Sequence, residues 1–276
     1  ESYFYYGETS LSVRMALAIA EGKVTGKLSA ATLAKVEQSA RHVAEIVEEG
    51  RTVYGINTGF GPMCTTQINA EDTKKLQENI LKSHAVGVGE PIDTLLSKLM
   101  LILKVQALAQ GFSGIQVETL ERIVWHIQAD IIPVVPKQGS VGASGDLAPL
   151  SHLFLPLIGL GKVVVEGQQY SSAEILARKG KTAIELGAKE GLALINGTQF
   201  MAAHAVLAVD RMHNLLMNAD LIAALMLEGL NGSIKPFFKE LHALRPHKGN
   251  VFVASTLYNL LEGSEIVHAH QNCSRV

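Results

Sequence analysis

A mainly α fold is predicted by three features of this 276-residue chain. Apolar residues recur at three- and four-residue spacing through most of its length. The recurring segments are opened by Ser, Asn or Asp, and several are closed by glycine. A single stretch, Val163-Val164-Val165 with a Glu-Gly turn and Gln169-Tyr170, reads as a small β-hairpin. The expected architecture is helical through most of the chain, with this one small hairpin.

The elements follow in order. Ser29 caps a helix running to about Glu49, with Leu33, Val36, Ala40, Val43 and Val47 on one stripe and Gly50 as its stop. Asn69 caps the next, through Leu76, Ile80 and Leu81. Asp93 opens a third, Leu95 to Gln110, apolar on most sides and ended by Gly111. Further helices are expected from about Gln116 to Gln128 and from Leu147 to Ile158, with Asp146 and Pro149 suited to the start of the latter. Ser171-Ser172-Ala173-Glu174 has the form of a capping box for a short helix. A long apolar stretch from about Thr198 to Gly229 is read as helical. Three glycine-rich loops, 55–61, 87–89 and 139–145, interrupt the pattern.

Composition narrows the class. A charged fraction of 18% against 47% hydrophobic residues points to extensive burial, some of it between subunits. A net charge of −2 offers no basic face to nucleic acid and no polybasic signal to a membrane. Gly191 to Val209 lacks Asp, Glu, Lys and Arg and is about long enough to span a bilayer. Asn196, Thr198, Gln199 and His204 lie inside it, however, so a buried helix of a bundle is the expectation. Cys64 and Cys273 are too few for a disulfide framework and fit a reducing cytosol. Glu1 to Tyr6 lack the form of a secretion signal; with no initiator Met, residues are expected to precede Glu1. Gly59-Phe60-Gly61 and Gly87-Val88-Gly89 do not complete a dinucleotide fingerprint. His268, His270 and Cys273 lack a fourth ligand at metal-site spacing and are read as surface or packing residues.

The run Gly139-Ser140-Val141-Gly142-Ala143-Ser144-Gly145-Asp146 carries the most chemistry. No His, Cys or Lys beside Ser144 would activate it as an ordinary nucleophile. The backbone itself can react: the Gly145 nitrogen attacks the Ala143 carbonyl carbon and closes a five-membered ring. Loss of two waters, one of them carrying the Ser144 hydroxyl, leaves an exocyclic methylene on an imidazolone. Glycine at 145 removes a Cβ that would hinder its nitrogen, and glycines at 139 and 142 let the chain bend. A flexible loop capping a helix is the competing reading for a bare Ala-Ser-Gly.

The longer string, continued by Leu147-Ala148-Pro149-Leu150-Ser151-His152, resembles the histidine and aromatic amino acid ammonia-lyases. Four further blocks carry the same resemblance in the same order: Tyr54 to Gly61; Leu76 to Asn79 with Ser83 to Gly89; Gly191 to Gln199; and Arg245-Pro246-His247 with Gly263 to Ile266. The resemblance implies a methylidene-imidazolone (MIO) group formed autocatalytically from Ala143, Ser144 and Gly145, with no metal or nucleotide. It implies a cytoplasmic homotetramer acting on an amino acid as its small-molecule substrate, with an N-terminal globular part, 1–195, leading into the start of a long-helix bundle, 196–276.

The resemblance also assigns roles. Tyr54, otherwise a loop anchor, corresponds to the base that removes the substrate β-proton; a free phenol titrates near ~10, so that role needs a lowered pKa or a relay. Asn196, otherwise a cap, corresponds to the amide that polarises the ring carbonyl. His84, otherwise structural, corresponds to a residue facing the substrate side chain. The motifs most resemble the histidine branch, hence L-histidine to trans-urocanate; tyrosine or phenylalanine ammonia-lyase and an MIO aminomutase are the alternatives. Members of the family are longer, and their substrate-carboxylate Tyr and Arg fall beyond Val276. A third reading is therefore a non-catalytic helical oligomerisation fragment.

Overall fold

The structure is a computed structural model and describes residues 2–58 and 70–269. The fold is mainly α, as expected. Two compact units divide the chain at Leu207/Ala208.

In the first unit, β1 (Tyr3–Tyr5) pairs in parallel with β2 (Thr25–Lys27), with α1 (Val13–Ala20) between them. Helix α2 (Ala30–Glu48) starts where the Ser29 hydroxyl accepts the Thr32 N–H at 3.1 Å. It buries Val36, Ala40 and Val43 as the stripe predicts, with Ile46 in place of Val47 as the last buried position. Helix α3 (Ala70–His84) is present, while its expected cap Asn69 lies outside the described residues. Helix α4 (Thr94–Leu108) is capped by Asp93, whose carboxylate accepts the Leu95 N–H at 2.8 Å. It is buried on nearly every side, and α5 (Val117–Gln128) packs against it.

The predicted helix from Leu147 splits into α6 (Leu147–Phe154) and a 3-10 turn at Leu155–Ile158, because Pro156 has no N–H to continue the α-helical ladder. The hairpin is present as β6 (Lys162–Val165) and β7 (Gln168–Ser171), turning through Glu166 and Gly167, both at positive φ. Strand β4 (Ile132–Pro133) adds to its other edge. Two more strands, β3 (Val88–Pro91) and β5 (Pro136–Gln138), pair antiparallel and tie the 87–89 loop to the entrance of the 139–145 loop. Helix α7 (Ser172–Arg178) begins where the Ser171 hydroxyl accepts the Glu174 N–H; the Glu174 carboxylate receives Arg178.

The expectation of one buried helix through Gly191–Val209 is corrected. Helix α8 (Glu190–Ile195) stops at Asn196, whose extended backbone (ψ 120°) ends it. Gly197 follows at φ 151°, and α9 (Gln199–Gly229) starts afresh. Asn196 therefore lies in a turn between helices, while the helix expected from about Thr198 to Gly229 is present as α9. Nor is α9 buried along its length: Met212, Leu215, Met217, Ile222 and Leu225 are all more than half exposed.

The core of the first unit joins α1, α4, α5 and α6 through Leu17, Leu99, Ile102, Leu120, Leu150 and Phe154. The second unit has its own small core, Ala224, Ile234, Leu257, Leu261 and Val267. Here α10 (Lys239–Ala243), α11 (Lys248–Leu261) and α12 (Glu265–Ala269) follow the end of α9.

Candidate active site

The Ala143-Ser144-Gly145 triplet lies at the surface, with Ala143 and Ser144 exposed and Gly145 half-buried. Beneath it Asp146 is fully buried. The loop backbone is bent: Gly142 has φ 70°, Ser144 φ 65° and Gly145 φ 98°. A positive φ is uncommon for serine and is held only where surroundings enforce it.

The enforcement comes from the turn after α8. Gly145 forms a parallel bridge with Gly197, and the Asp146 N–H donates to the Gly197 carbonyl at 2.7 Å. A Cβ at Gly145 would fall on that carbonyl oxygen, well inside the 3.0 Å limit of real contacts. Only glycine fits. The bond is made by the nitrogen of Asp146, so it leaves the Gly145 nitrogen out of the pairing. These features fit a ring built from Ala143, Ser144 and Gly145.

Asp146 differs from its expected role. It precedes α6, but its side chain makes no capping bond to that helix. One carboxylate oxygen accepts the Ser140 hydroxyl at 2.7 Å and the other accepts the Met201 N–H, in the first turn of α9, at 3.0 Å. A carboxylate there also complements the positive end of the α9 dipole. Asp146 thus joins both ends of the loop to α9.

Helix α8 organises the remaining pieces. Glu190 is buried and accepts N–H bonds from Gln116 at 3.0 Å and Gly187 at 2.6 Å. Burial pushes its pKa above the usual carboxylate range, against the pull of those bonds. The Gly191 N–H donates to the Gln77 side chain of α3 at 2.9 Å. Leu192 packs where Gly55 has no side chain: a Cβ at Gly55, which has φ 78°, would collide with it. The turn bearing Tyr54 is thereby seated on α8. Asn57 braces that turn, accepting the Val53 N–H at 2.9 Å and donating to the Arg51 carbonyl at 2.7 Å. Tyr54 itself is 57% exposed.

His84, the last residue of α3, is half-buried. Its Nδ1 lies 2.9 Å from the Ile80 carbonyl, which assigns the proton to Nδ1 and leaves Nε2 as an acceptor. The turn after it is held by His152 of α6, whose Nε2 accepts the Gly87 N–H at 3.0 Å. Burial pulls the His152 pKa down, consistent with that acceptor role. Gly87 also lies against Gly139 at the mouth of the 139–145 loop.

The predicted residues therefore fall into two groups. Ala143, Ser144, Gly145 and Asn196 are brought together directly. Tyr54 and His84 are each tied to the same framework, Tyr54 through Gly55 and α8, His84 through β3, β5 and α6. Sequence reading missed Asp146 as a clamp, His152 as a turn anchor and Lys104. Lys104 is 2% exposed and its Nζ donates to the Asn196 carbonyl at 2.7 Å. Its signal was a lone basic residue in the otherwise apolar run Leu99 to Val105.

Among the described residues, no group of three His, Cys, Asp or Glu could hold a metal ion. His268 lies in α12, while His270, Cys64 and Cys273 lie outside the described residues. No described helix is long and apolar enough to cross a membrane.

Comparison with known proteins identifies the family and the fold. A histidine ammonia-lyase of Deinococcus radiodurans is 46% identical over 244 residues, 88% of this chain and 47% of that protein. One of Myxococcus xanthus is 43% identical over 270 residues, 98% of this chain and 53% of that protein. Among solved structures, a tyrosine aminomutase from Streptomyces globisporus superposes with a TM-score of 0.89 at 34% identity, covering 95% of this chain and 49% of that one. A histidine ammonia-lyase from Trypanosoma cruzi superposes with a TM-score of 0.87 at 35% identity, covering 97% and 52%. The chain spans about half the length of the curated relatives it matches. Residues 11–276 match the family of aromatic amino acid lyases, and the chain belongs to that family.

Proposed function

We infer that this chain is the MIO-bearing portion of a histidine ammonia-lyase, which removes ammonia non-oxidatively from L-histidine to give trans-urocanate. The observation that carries the reading is the Gly145–Gly197 joint. It holds a surface Ala-Ser-Gly triplet in a bent backbone directly beside Asn196. Once formed from Ala143, Ser144 and Gly145, the MIO group supplies an electrophilic methylene that no ordinary side chain offers. The assignment to histidine rests on the curated relatives, which are histidine ammonia-lyases at 41–46% identity.

The chain's own residues have separate tasks. Asn196 presents an amide donor to negative charge developing at the loop. Tyr54, on its braced turn, takes the substrate β-proton at its phenolic oxygen. His84 accepts, at Nε2, the N–H of the substrate imidazole. A tyrosine phenol could donate to the same nitrogen. The high structural similarity to a tyrosine aminomutase keeps a tyrosine- or phenylalanine-type lyase or an aminomutase as the second reading. The exposed apolar face of α9 supports assembly into a homotetramer, with 1–195 as the cofactor-bearing domain and 196–276 as the start of the shared bundle. A cytoplasmic location fits this metabolic role.

Intact-mass measurement tests the first step. A deficit of two waters, localised to the peptide containing Ala143 to Gly145, is expected, and Ser144→Ala should abolish it together with activity. An unmodified chain would instead leave a non-catalytic oligomerisation fragment. Histidine, tyrosine and phenylalanine, offered in turn to the full-length protein, are expected to give urocanate as the main product. Tyr54→Phe should keep the mass deficit while slowing turnover severely.

A further inference from the structure

Lys104 lies at the centre of α4 with Leu103 and Val105 beside it and is almost wholly buried. Burying a lysine is costly, so its position calls for a compensating role. Its four-carbon stem runs through the core of the first unit, and its Nζ emerges at the Asn196 carbonyl, 92 residues further along the chain. Because a peptide unit is planar and trans, holding that oxygen also sets the direction of the Gly197 N–H. Gly197 presents this edge of its backbone to Gly145 in the parallel bridge, and its carbonyl receives the Asp146 N–H.

We propose that Lys104 is a positioning residue for the self-modification of the loop, gripping the Asn196–Gly197 peptide so that Gly197 keeps the Ala143–Gly145 backbone bent for ring closure. The proposal rests on the reading that this triplet cyclises. In that reaction the Gly145 nitrogen bonds to the Ala143 carbonyl carbon and the carbonyl oxygen leaves as water. The Ser144 hydroxyl and the Ser144 Cα hydrogen leave as the second water. Lys104 takes no part in either bond change, and no oxidant is needed. Burial pulls its pKa down to about 7, and both the ammonium and the neutral amine retain an N–H for the Asn196 oxygen. The grip therefore does not depend on the charge.

The test compares Lys104→Met, which keeps the volume but removes the donor, with Lys104→Arg, which keeps a donor, in the full-length protein. Helical content and thermal midpoint establish folding, mass spectrometry follows the two-water deficit over time, and amide exchange reports the Asp146 N–H. Lys104→Met should fold with an unreduced midpoint, because it relieves the burial of a charge. It should cyclise about tenfold more slowly, the scale of losing one hydrogen bond to a group of this kind. Exchange at Asp146 should quicken while α4 stays protected, and Lys104→Arg should recover most of the cyclisation rate. If Lys104→Met does not fold, Lys104→Gln, too short to reach the Asn196 oxygen, serves instead. Either variant, folded and cyclising at the wild-type rate, overturns the proposal. A wild-type protein with no mass deficit overturns the cofactor reading and this proposal together, so the two failures are distinguishable.

Discussion

Asp146 offers a graded test of how the loop is held. Its carboxylate is fully buried and satisfies two donors from different parts of the chain, the Ser140 hydroxyl and the Met201 N–H. Asp146→Ala removes both acceptors. Losing the cap on α9 costs about 1 kcal/mol, losing the Ser140 bond costs about 1 kcal/mol more, and the small cavity adds about 1 kcal/mol. The sum is about 3 kcal/mol, a large part of an ordinary domain's stability.

Asp146→Asn should be much milder. Its amide oxygen can still face the Met201 N–H, while its NH2 faces Ser140, whose hydroxyl can turn to accept. The remaining cost is the change from a charged to a neutral acceptor, about 1 kcal/mol. Urea denaturation followed by circular dichroism measures both variants, and mass spectrometry follows cyclisation in parallel. The expected order is wild type, Asn, Ala in both assays. Equal losses for Asn and Ala would refute the two-acceptor account, because it would mean that charge alone, and not the pair of bonds, holds the loop.

Two other outcomes follow from the same geometry. Gly145→Ala places a Cβ against the Gly197 carbonyl at φ 98°, so it should cost about 2 kcal/mol or more and block the two-water loss; a cyclised, stable variant would show that the joint is not needed. His126 is buried with Nδ1 3.0 Å from the Ile131 carbonyl, and its Nε2 has no partner among the described residues. Burial pulls its pKa down to about 4, below the unfolded value near ~6.5, so the unfolded chain binds the extra proton between these values. Stability should therefore fall by about 3 kcal/mol as pH drops from ~6.5 to about 4. His126→Phe should flatten that slope in pH-dependent unfolding, and an unchanged slope would assign it elsewhere.

Much of the helical layout was legible because its signals are local. The caps Ser29, Asp93 and Ser171 each bond an amide two or three residues away, and the stripe on α2 follows the helical period. Strands β3, β4 and β5, of two to four residues, are too short to show a period and lack the tight Glu-Gly turn that marked β6 and β7, so they were invisible. Lys104 and Asp146 were missed for another reason: their partners lie far away in sequence, on the Asn196 carbonyl and the Met201 amide, and main-chain atoms leave no trace in residue identity. The break at Asn196 was hidden by its apolar surroundings. An apolar run signals burial without saying whether the cover is the same chain or another, so the exposed face of α9 was read as buried.

The joint between the loop and the turn after α8 has a consequence for when the electrophile can exist. Gly197 and Met201 are translated after the triplet they hold. A nascent chain that has made only as far as residue 146 carries every atom of the triplet, and Asp146, but neither Gly197 nor Met201, the later partners that hold them. If the triplet cyclises as proposed, the reactive group is expected only after the later segment has been synthesised and has come back to the loop. Its presence would then be a chemical record that this closure took place, and an unclosed chain would be spared a strong electrophile before there is a structure to contain it.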